Sequence, residues 1–246
     1  MLAEGLETRG IASLRYDKRG VGESSGALKR ASDLTFDIAI DDAMRWMQQL
    51  RTDPRFSLVS VAGHSEGSLI GIVVAERTLV DRVISIDGTG RRAGDLILSQ
   101  LEGQYSPDLV ASARDIVAAL TAGMLVPNVP PELNFLFRPS AQPYLISWFR
   151  YDPVIEISHL QVPTLVLHGT TDTEVPISDA FLLAAGNRSA VLRLIPGMNH
   201  MLKDVPLDDD DAQNRSYYDP TLPIDAALVA AIGDFINPPI RRRAVR

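Results

Sequence analysis

A five-residue stretch, Gly63-His64-Ser65-Glu66-Gly67, constrains this chain more than any other feature of its sequence. It follows an apolar run over 56–62 that predicts a buried strand, and it precedes a run over 68–77 that predicts a helix. A serine between two glycines at a strand-to-helix turn is the nucleophile-elbow pattern. We expect the turn to be too tight for a side chain at either glycine and to strain the serine backbone. Backbone N–H groups at the helix start could then stabilise an oxyanion, whereas a glycine-rich turn without chemistry is the alternative.

Composition fits a single catalytic domain and excludes several classes of function. The chain has 246 residues, of which 46% are hydrophobic, and a net charge of −7 that argues against nucleic acid as the main partner. The Arg241–Arg243 run is short and fits a solvated tail. Because the chain has no cysteine, thiol catalysis, disulfides and cysteine metal sites are excluded.

Targeting signals are not recognisable in the sequence. No apolar run reaches the roughly 18 residues that a membrane span needs. Met1–Glu7 lacks the basic and apolar regions of a signal peptide, so we expect a cytoplasmic protein unless an export signal lies upstream.

Strand and helix patterns alternate along the chain, which is typical of an α/β fold with a mostly parallel sheet. The predicted strands, besides the one before the elbow, are Ile11–Tyr16, Val83–Ile86, Thr164–His168 and Ala190–Ile195. The predicted helices, besides the one after the elbow, are Met1–Thr8, Thr35–Leu50, Pro176–Ala185 and Ile224–Ile236, the last stopped by Pro238-Pro239.

The serine needs a base, and the position of each histidine favours His200. It lies in a loop just after the last predicted strand, where the carboxyl ends of parallel strands bind ligands. His64 adjoins the serine and is expected to point away from it, His159 lies in a polar approach to a strand, and His168 ends a strand. A buried structural role is the alternative for His200.

The histidine in turn needs an acid, and the sequence offers three candidates. Asp172 follows the strand Thr164–His168, and Asp87 follows the strand Val83–Ile86. Asp172 is favoured because its loop is compact and joins the strand next to that of His200. Glu174 is expected to face solvent. The order Ser65, Asp172, His200 is the one expected for this type of hydrolase.

Four motifs in the correct order resemble those of the α/β-hydrolases, in particular the bacterial carboxylesterase and serine-aminopeptidase-like branch. They are the segment Arg15–Ser24, the elbow Gly63–Gly67, the acid loop His168–Asp172 and the histidine loop Pro196–His200. The resemblance implies an α/β-hydrolase fold, with Ser65 as nucleophile, Asp172 as acid and His200 as base. It also implies that the backbone N–H of Glu66 is one oxyanion donor.

The chain departs from this family at its N-terminus. Family members have further strands before the one predicted at Ile11–Tyr16, including a central strand whose loop supplies the second oxyanion N–H. We expect the chain to be a shortened form of a longer protein; the alternative is a complete chain whose sheet is repaired in an unusual way.

A form extended upstream of Met1 is expected to melt at a higher temperature and to turn over faster than the 246-residue chain. Loss of one oxyanion donor alone costs about 10²–10³ in turnover. Equal melting temperatures and equal turnover for the two forms would refute this expectation.

The segment 88–157 is too long for a simple connection, so we predict a helical cap inserted within one hydrolase domain spanning 1–246. Six aromatics cluster between residues 135 and 151, and Phe135, Phe137 and Trp148 are the predicted substrate-binding residues of an apolar wall. The alternative is that the aromatics fasten the cap to the body of the domain.

These patterns predict a serine hydrolase that cleaves small carboxylic esters through an acyl-enzyme. A peptidase or amidase with the same three residues is the first alternative, and a catalytically silent binding protein is the second. The mechanism needs no cofactor, and the scattered histidines without an H-E-x-x-H pattern give a metal site little support. The sequence leaves the oligomeric state open.

Overall fold

The computed structural model describes residues 1–238, so the predicted tail Arg241–Arg243 and the proline at 239 lie outside the described residues. At the centre is a parallel sheet of four strands, β1 (Ser60–His64), β2 (Arg82–Ile86), β3 (Thr164–Gly169) and β4 (Val191–Ile195). Their order in the sheet is their order along the chain. Because all neighbours are parallel, the four carboxyl ends meet at one edge of the sheet.

Helices connect and cover these strands, as the alternating pattern predicts. Those that lie outside the β2–β3 connection are α1 (Leu2–Glu7), α2 (Phe36–Arg51), α3 (Glu66–Arg77), α9 (Ile177–Gly186), α10 (Asp210–Tyr218) and α11 (Ala226–Ile236). The predicted helices are thus confirmed, with ends that differ by one or two residues. Within residues 1–238, no helix combines the length and the apolar character that crossing a bilayer requires.

Alternate residues of the central strands supply two separate cores, one on each face of the sheet. Val83 and Val166 face a core shared with α2, α3 and α9. Ile84 and Leu165 face the opposite core, where α1 and α11 pack. Side chains of a strand alternate between faces, so strands that are covered on both sides read as nearly continuous apolar runs.

The predicted strand at Ile11–Tyr16 is wrong. These residues form no strand, and a groove of 1320 Å³ lies between 11–18 on one side and 58–64 on the other. Leu14 and Tyr16 line that groove, and their side chains are 40% and 39% exposed. The segment has the composition of a strand, but no described strand lies close enough to pair with it.

The connection between β2 and β3 is a helical insertion, which we define as residues 88–157. Its helices are α4 (Ala93–Leu101), α5 (Pro107–Thr121), α6 (Asn134–Phe137), α7 (Gln142–Trp148) and α8 (Pro153–Ser158). It has a hydrophobic core of its own. Phe36 of α2 contacts the rings of Tyr144, Trp148 and Tyr151, and its backbone N–H donates to Ser147. These contacts join the insertion to the body of the domain.

Candidate active site

Ser65 occupies the sharp turn between β1 and α3. Its backbone has φ of 54° and ψ of −122°, a conformation that non-glycine residues rarely adopt. The backbone N–H of Ser65 donates to the carbonyl of Ile86 at 2.9 Å, which ties the turn to the end of β2. Glu66 begins α3, and within the described residues its N–H has no hydrogen-bond acceptor. The turn therefore presents the serine beside a free N–H at a helix N-terminus.

The two glycines of the turn differ, which corrects the prediction that neither position tolerates a side chain. A Cβ at Gly63 would lie 1.9 Å from the carbonyl oxygen of Gly67 and 2.7 Å from the N of Ser68. A Cβ at Gly67 would meet nothing within 4 Å. Gly67 lies in the first turn of α3, where a side chain points into open space. Only the first glycine is required by the close approach of strand and helix.

Replacing Gly63 by alanine is therefore expected to lower the free energy of unfolding by about 3 kcal/mol or more, because the new methyl group meets rigid backbone. Gly67→Ala is the matched control, and we expect it to leave stability unchanged or to raise it by up to about 1 kcal/mol. Urea unfolding of both variants measures the difference. Equal stability of the two variants would contradict the geometry of the turn.

The structure brings Ser65, Asp172 and His200 together at the carboxyl edge of the sheet. Nε2 of His200 lies 3.2 Å from Oγ of Ser65, and Nδ1 of His200 lies 2.8 Å from Oδ2 of Asp172. The side chain of Asp172 has no exposed surface, and that of His200 is 12% exposed. A proton on Nδ1 bonds to the carboxylate and leaves the lone pair of Nε2 facing the serine hydroxyl.

Asp172 is held in place by its own loop. Its Oδ1 accepts the backbone N–H groups of Glu174 at 2.8 Å and Val175 at 2.9 Å, so Oδ2 is left for His200. The loop is also fastened to the histidine loop, since Thr171 donates its N–H to the carbonyl of Met198. Asp172 and His200 therefore lie on two loops that hydrogen-bond to each other.

The loop that carries His200 depends on residues that sequence reasoning missed. Asn199 is fully buried, donates to Gln213 and Ser216, and accepts the N–H groups of Met201 and Lys203. These contacts fix the backbone on both sides of His200. An asparagine next to a histidine does not by itself predict this supporting role. The side-chain partners of Asn199, Gln213 and Ser216, lie in α10, which is a separate element of the chain.

His64 has a role that the sequence did not indicate. Its Nε2 donates to the backbone carbonyl of His200 at 2.9 Å. The two imidazole rings lie 4.7 Å apart. Burial, together with the charge of His200, lowers the pKa of His64 to about 4. His64 is thus a neutral hydrogen-bond donor that supports the base.

The surroundings of His200 favour its protonated form. Burial lowers the pKa of His200, but the hydrogen bond and the charge of Asp172 outweigh burial, so the pKa is raised above its usual value. A base with a raised pKa accepts the serine proton more readily and holds it as an imidazolium beside the carboxylate.

The other two candidate acids lie near the site without reaching the ring of His200 by a hydrogen bond. Asp87 is fully buried, and its Oδ1 accepts the N–H of Gly169. Glu174 accepts the hydroxyl of Tyr217 at 2.8 Å. His168 is buried beneath the edge, where its Nε2 donates to the carbonyl of Val175.

The predicted substrate-binding aromatics occupy three different environments. Phe137 is fully buried in the core of the helical insertion and has no surface to offer a substrate, so the prediction is corrected for this residue. Trp148 stacks on Phe36 with ring centroids 5.7 Å apart. Phe135 is 57% exposed and stacks on Tyr105. For Trp148 the contacts favour the alternative, in which aromatics fasten the insertion to the body; substrate contact by Phe135 and Trp148 stays a prediction.

Two groups of side chains at this edge have ligand atoms within 4.8 Å of one another, a spacing that a divalent cation requires. They are His64, Asp87, His200 and Asp87, His168, Asp172. Most of these side chains already hydrogen-bond to protein groups, as described above. A third group, Glu76, Glu156 and His159, lies away from the serine, where His159 is paired with Glu76.

The sequence is similar to those of known hydrolases. A family model described as serine aminopeptidase, S33, matches residues 1–85. Esterase EstD from Thermotoga maritima is 26% identical over 204 residues, which is 82% of this chain and 48% of EstD. The chain thus spans about half the length of that curated relative.

Solved structures with a similar fold include a lipase and Est1E. A monoacylglycerol lipase from Paleococcus ferrophilus superposes with a TM-score of 0.58 at 19% identity, covering 95% of this chain and 88% of the lipase. Est1E from Butyrivibrio proteoclasticus, solved with ferulic acid, has a TM-score of 0.55 at 17% identity and coverages of 88% and 77%. At such identities the superpositions establish the fold alone. They show that this chain has the α/β-hydrolase fold, and its sequence is similar to the serine aminopeptidase family over residues 1–85 and to an esterase over 204 residues.

Proposed function

We propose that this chain is a serine hydrolase that cleaves small carboxylic esters through an acyl-enzyme. The observation that carries the proposal is the continuous chain of hydrogen bonds from Asp172 through His200 to Ser65. Its serine lies in a strained turn at a helix N-terminus, and its carboxylate is fully buried. The ester preference is supported by the 26% identical relative, which is an esterase.

In the proposed reaction, Oγ of Ser65 attacks the ester carbonyl while Nε2 of His200 takes its proton. Asp172 holds the imidazole by Nδ1 and stabilises the positive charge that the ring acquires. His200 then gives the proton to the leaving alcohol, and an acyl group remains on Ser65. A water molecule deprotonated by His200 releases the acid and restores the serine.

The N–H of Glu66 is proposed as one donor to the oxyanion that forms in each step. It has no acceptor among residues 1–238, and it lies at the positive end of the α3 dipole. The helical insertion is proposed as a cap, since it follows the strand next to the nucleophile strand and carries its own core. Trp148 and Phe135 are the residues of that cap proposed to meet an acyl or alcohol group.

A fluorophosphonate probe tests whether the serine is reactive at all. Such a probe phosphonylates a serine only where a base and an oxyanion site activate it. We expect the probe to label Ser65, identified by mass spectrometry of the labelled peptide. A folded protein that resists labelling would instead favour a catalytically silent binding protein and would refute the proposed function.

A peptidase or amidase with the same residues is the second candidate, favoured by the description of the matching family model. A panel of p-nitrophenyl esters and aminoacyl p-nitroanilides separates the two. We expect hydrolysis of the short-chain esters with at most trace cleavage of the anilides. Faster cleavage of the anilides would assign the chain to the peptidases.

A further inference from the structure

Asp87 is a buried carboxyl at the active edge that the proposed reaction does not use. It directly follows β2, the strand that lies between β1, which leads to Ser65, and β3, which leads to Asp172. Its side chain has no exposed surface, and its backbone has φ of 46°. Non-glycine residues in this left-handed region are uncommon and cluster at functional sites.

The contacts of Asp87 join three parts of the site. Its N–H donates to the carbonyl of Leu167 at 3.0 Å, and its Oδ1 accepts the N–H of Gly169 at 2.8 Å. Gly169 ends β3 and begins the loop that carries Asp172. The residue before Asp87, Ile86, accepts the N–H of Ser65. Asp87 therefore lies where the nucleophile turn and the acid loop are both anchored.

The imidazoles that face Asp87 are arranged as neutral rings. Nε2 of His64 is 3.9 Å from Oδ2 of Asp87, and Nδ1 of His168 is 3.7 Å from Oδ1. Each ring donates from its Nε2 to a backbone carbonyl, so each Nδ1 is an acceptor. Burial lowers the pKa of both rings. Neither histidine therefore offers Asp87 a positive charge.

Two buried atoms at this place have no hydrogen-bond partner among the described residues, Oδ2 of Asp87 and Nδ1 of His168. An ionised Asp87 would leave both as unpaired acceptors, with only one N–H compensating the buried charge. A proton on the carboxyl removes the uncompensated charge, and Nδ1 of His168 lies 3.7 Å from Oδ1 of Asp87, just beyond hydrogen-bond distance. A buried polar group without a partner costs stability, so the protonated form is the one that fits.

Further charges act on this carboxyl from the neighbouring loops. Asp172 repels a negative charge on Asp87, and a protonated His200 attracts one. Asp179 acts on His168 from α9, and its carboxylate is paired with Arg91 at 2.9 Å. Burial is the largest influence, and with Asp172 it raises the pKa of Asp87 to about 7.

We propose that Asp87 is a positioning residue that acts as a protonated carboxyl, anchoring Gly169 so that the adjoining loop presents Asp172 to His200. This inference rests on the proposed function for its effect on turnover. The number of N–H donors distinguishes the two carboxyl groups. Oδ1 of Asp172 accepts two N–H groups, which favour a carboxylate, whereas Oδ1 of Asp87 accepts one N–H group and the proposed form of Asp87 is neutral.

Two variants test the proposal. Asp87→Asn keeps the shape, accepts the N–H of Gly169, donates from its amide and stays neutral. Asp87→Leu has a similar size but neither accepts nor donates. With a short-chain p-nitrophenyl ester below pH 7, we expect the asparagine variant to stay within about threefold of wild-type kcat. We expect the leucine variant to lose about tenfold to a hundredfold in kcat with little change in KM, because the acid loop is misplaced.

The pH profile supplies a readout of the charge on Asp87. An ionised Asp87 would raise the pKa of His200, since it adds a negative charge beside the ring. A protonated Asp87 has no such charge, so the acid limb of the kcat/KM profile of Asp87→Asn should coincide with that of the wild type, and a limb displaced to lower pH would contradict the proposal. An asparagine variant as impaired as the leucine variant would overturn the proposal, as would a leucine variant with wild-type kcat.

A direct titration makes the test independent of turnover and of the folding of the leucine variant. Carboxyl ¹³C NMR of aspartate-labelled protein, with Asp87→Asn identifying the resonance, should show Asp87 titrating near pH 7. Titration in the ordinary range of an exposed aspartate would overturn the proposal whatever the activity. Failure of fluorophosphonate labelling would refute the proposed function alone, because the NMR titration would still report the proton on Asp87.

Discussion

Ser65→Ala is expected to reduce kcat for ester hydrolysis by about 10⁶-fold, to a residual rate set by binding and the oxyanion site. The variant removes the hydroxyl that lies 3.2 Å from Nε2 of His200 and that is proposed to carry the acyl group. KM should change little, because the hydroxyl contributes to the reaction rather than to ground-state binding. The same substitution should abolish fluorophosphonate labelling completely.

Ser68→Ala is the matched control for this prediction. Ser68 lies three residues further along, in α3, and its hydroxyl hydrogen-bonds to Ser85 at 2.6 Å. Its loss removes a buried hydroxyl near the site but leaves Ser65 and His200 untouched, so labelling should persist. A Ser65→Ala protein that still hydrolyses esters at a wild-type rate would show that Ser65 is not the nucleophile.

Asp172→Asn is expected to lower kcat by about 10⁴-fold while the protein stays folded. The N–H groups of Glu174 and Val175 require an acceptor at Oδ1, so the new amide nitrogen must take the place of Oδ2. It would then face Nδ1 of His200 as a donor and force that ring nitrogen to accept. The ring proton moves to Nε2, and this nitrogen can then no longer accept the proton of Ser65.

Glu174→Gln separates this effect from a general disturbance of the acid loop. Glu174 lies two residues from Asp172, and its carboxylate accepts the hydroxyl of Tyr217, which an amide oxygen can also accept. We expect kcat within about threefold of the wild type. Comparable losses in the two variants would remove Asp172 from the role proposed for it. Circular dichroism and thermal melting of both proteins exclude unfolding as the cause.

The helices and four of the strands were predictable because their signals are local. The apolar run before Ser65 and the spacing of apolar residues in α2 each indicate one type of structure without reference to distant residues. Ile11–Tyr16 has the same local signal and is not a strand, since a strand requires a neighbour with which to exchange hydrogen bonds. Composition carries no information about whether that neighbour is present.

The three candidate residues could be selected from the sequence, but the residues that support them could not. The turn, the chain order and the ends of parallel strands favoured Ser65, Asp172 and His200, which the structure brings within hydrogen-bond distance of one another. Asn199 and His64 support the base through contacts that join residues far apart in the chain, which no local pattern encodes. The two glycines of the turn look alike in sequence, and only the approach of α3 to β1 distinguishes them.

The position of β1 at an edge of the described sheet determines how the nucleophile is kept rigid. Within residues 1–238, β1 exchanges ladder hydrogen bonds with β2 alone, and its other side lines the groove. The N–H and C=O groups on that side of β1 therefore have no partner strand, and hydrogen bonds between strands hold β1 on the β2 side alone. Stiffness on the remaining side has to come from α3, which packs on β1 with the Cα of Gly71 close to Val61. The position of Ser65 thus depends on the hydrogen bonds between β1 and β2 and on the packing of α3 against β1. Weakening either set of contacts would make the orientation of its hydroxyl less well defined.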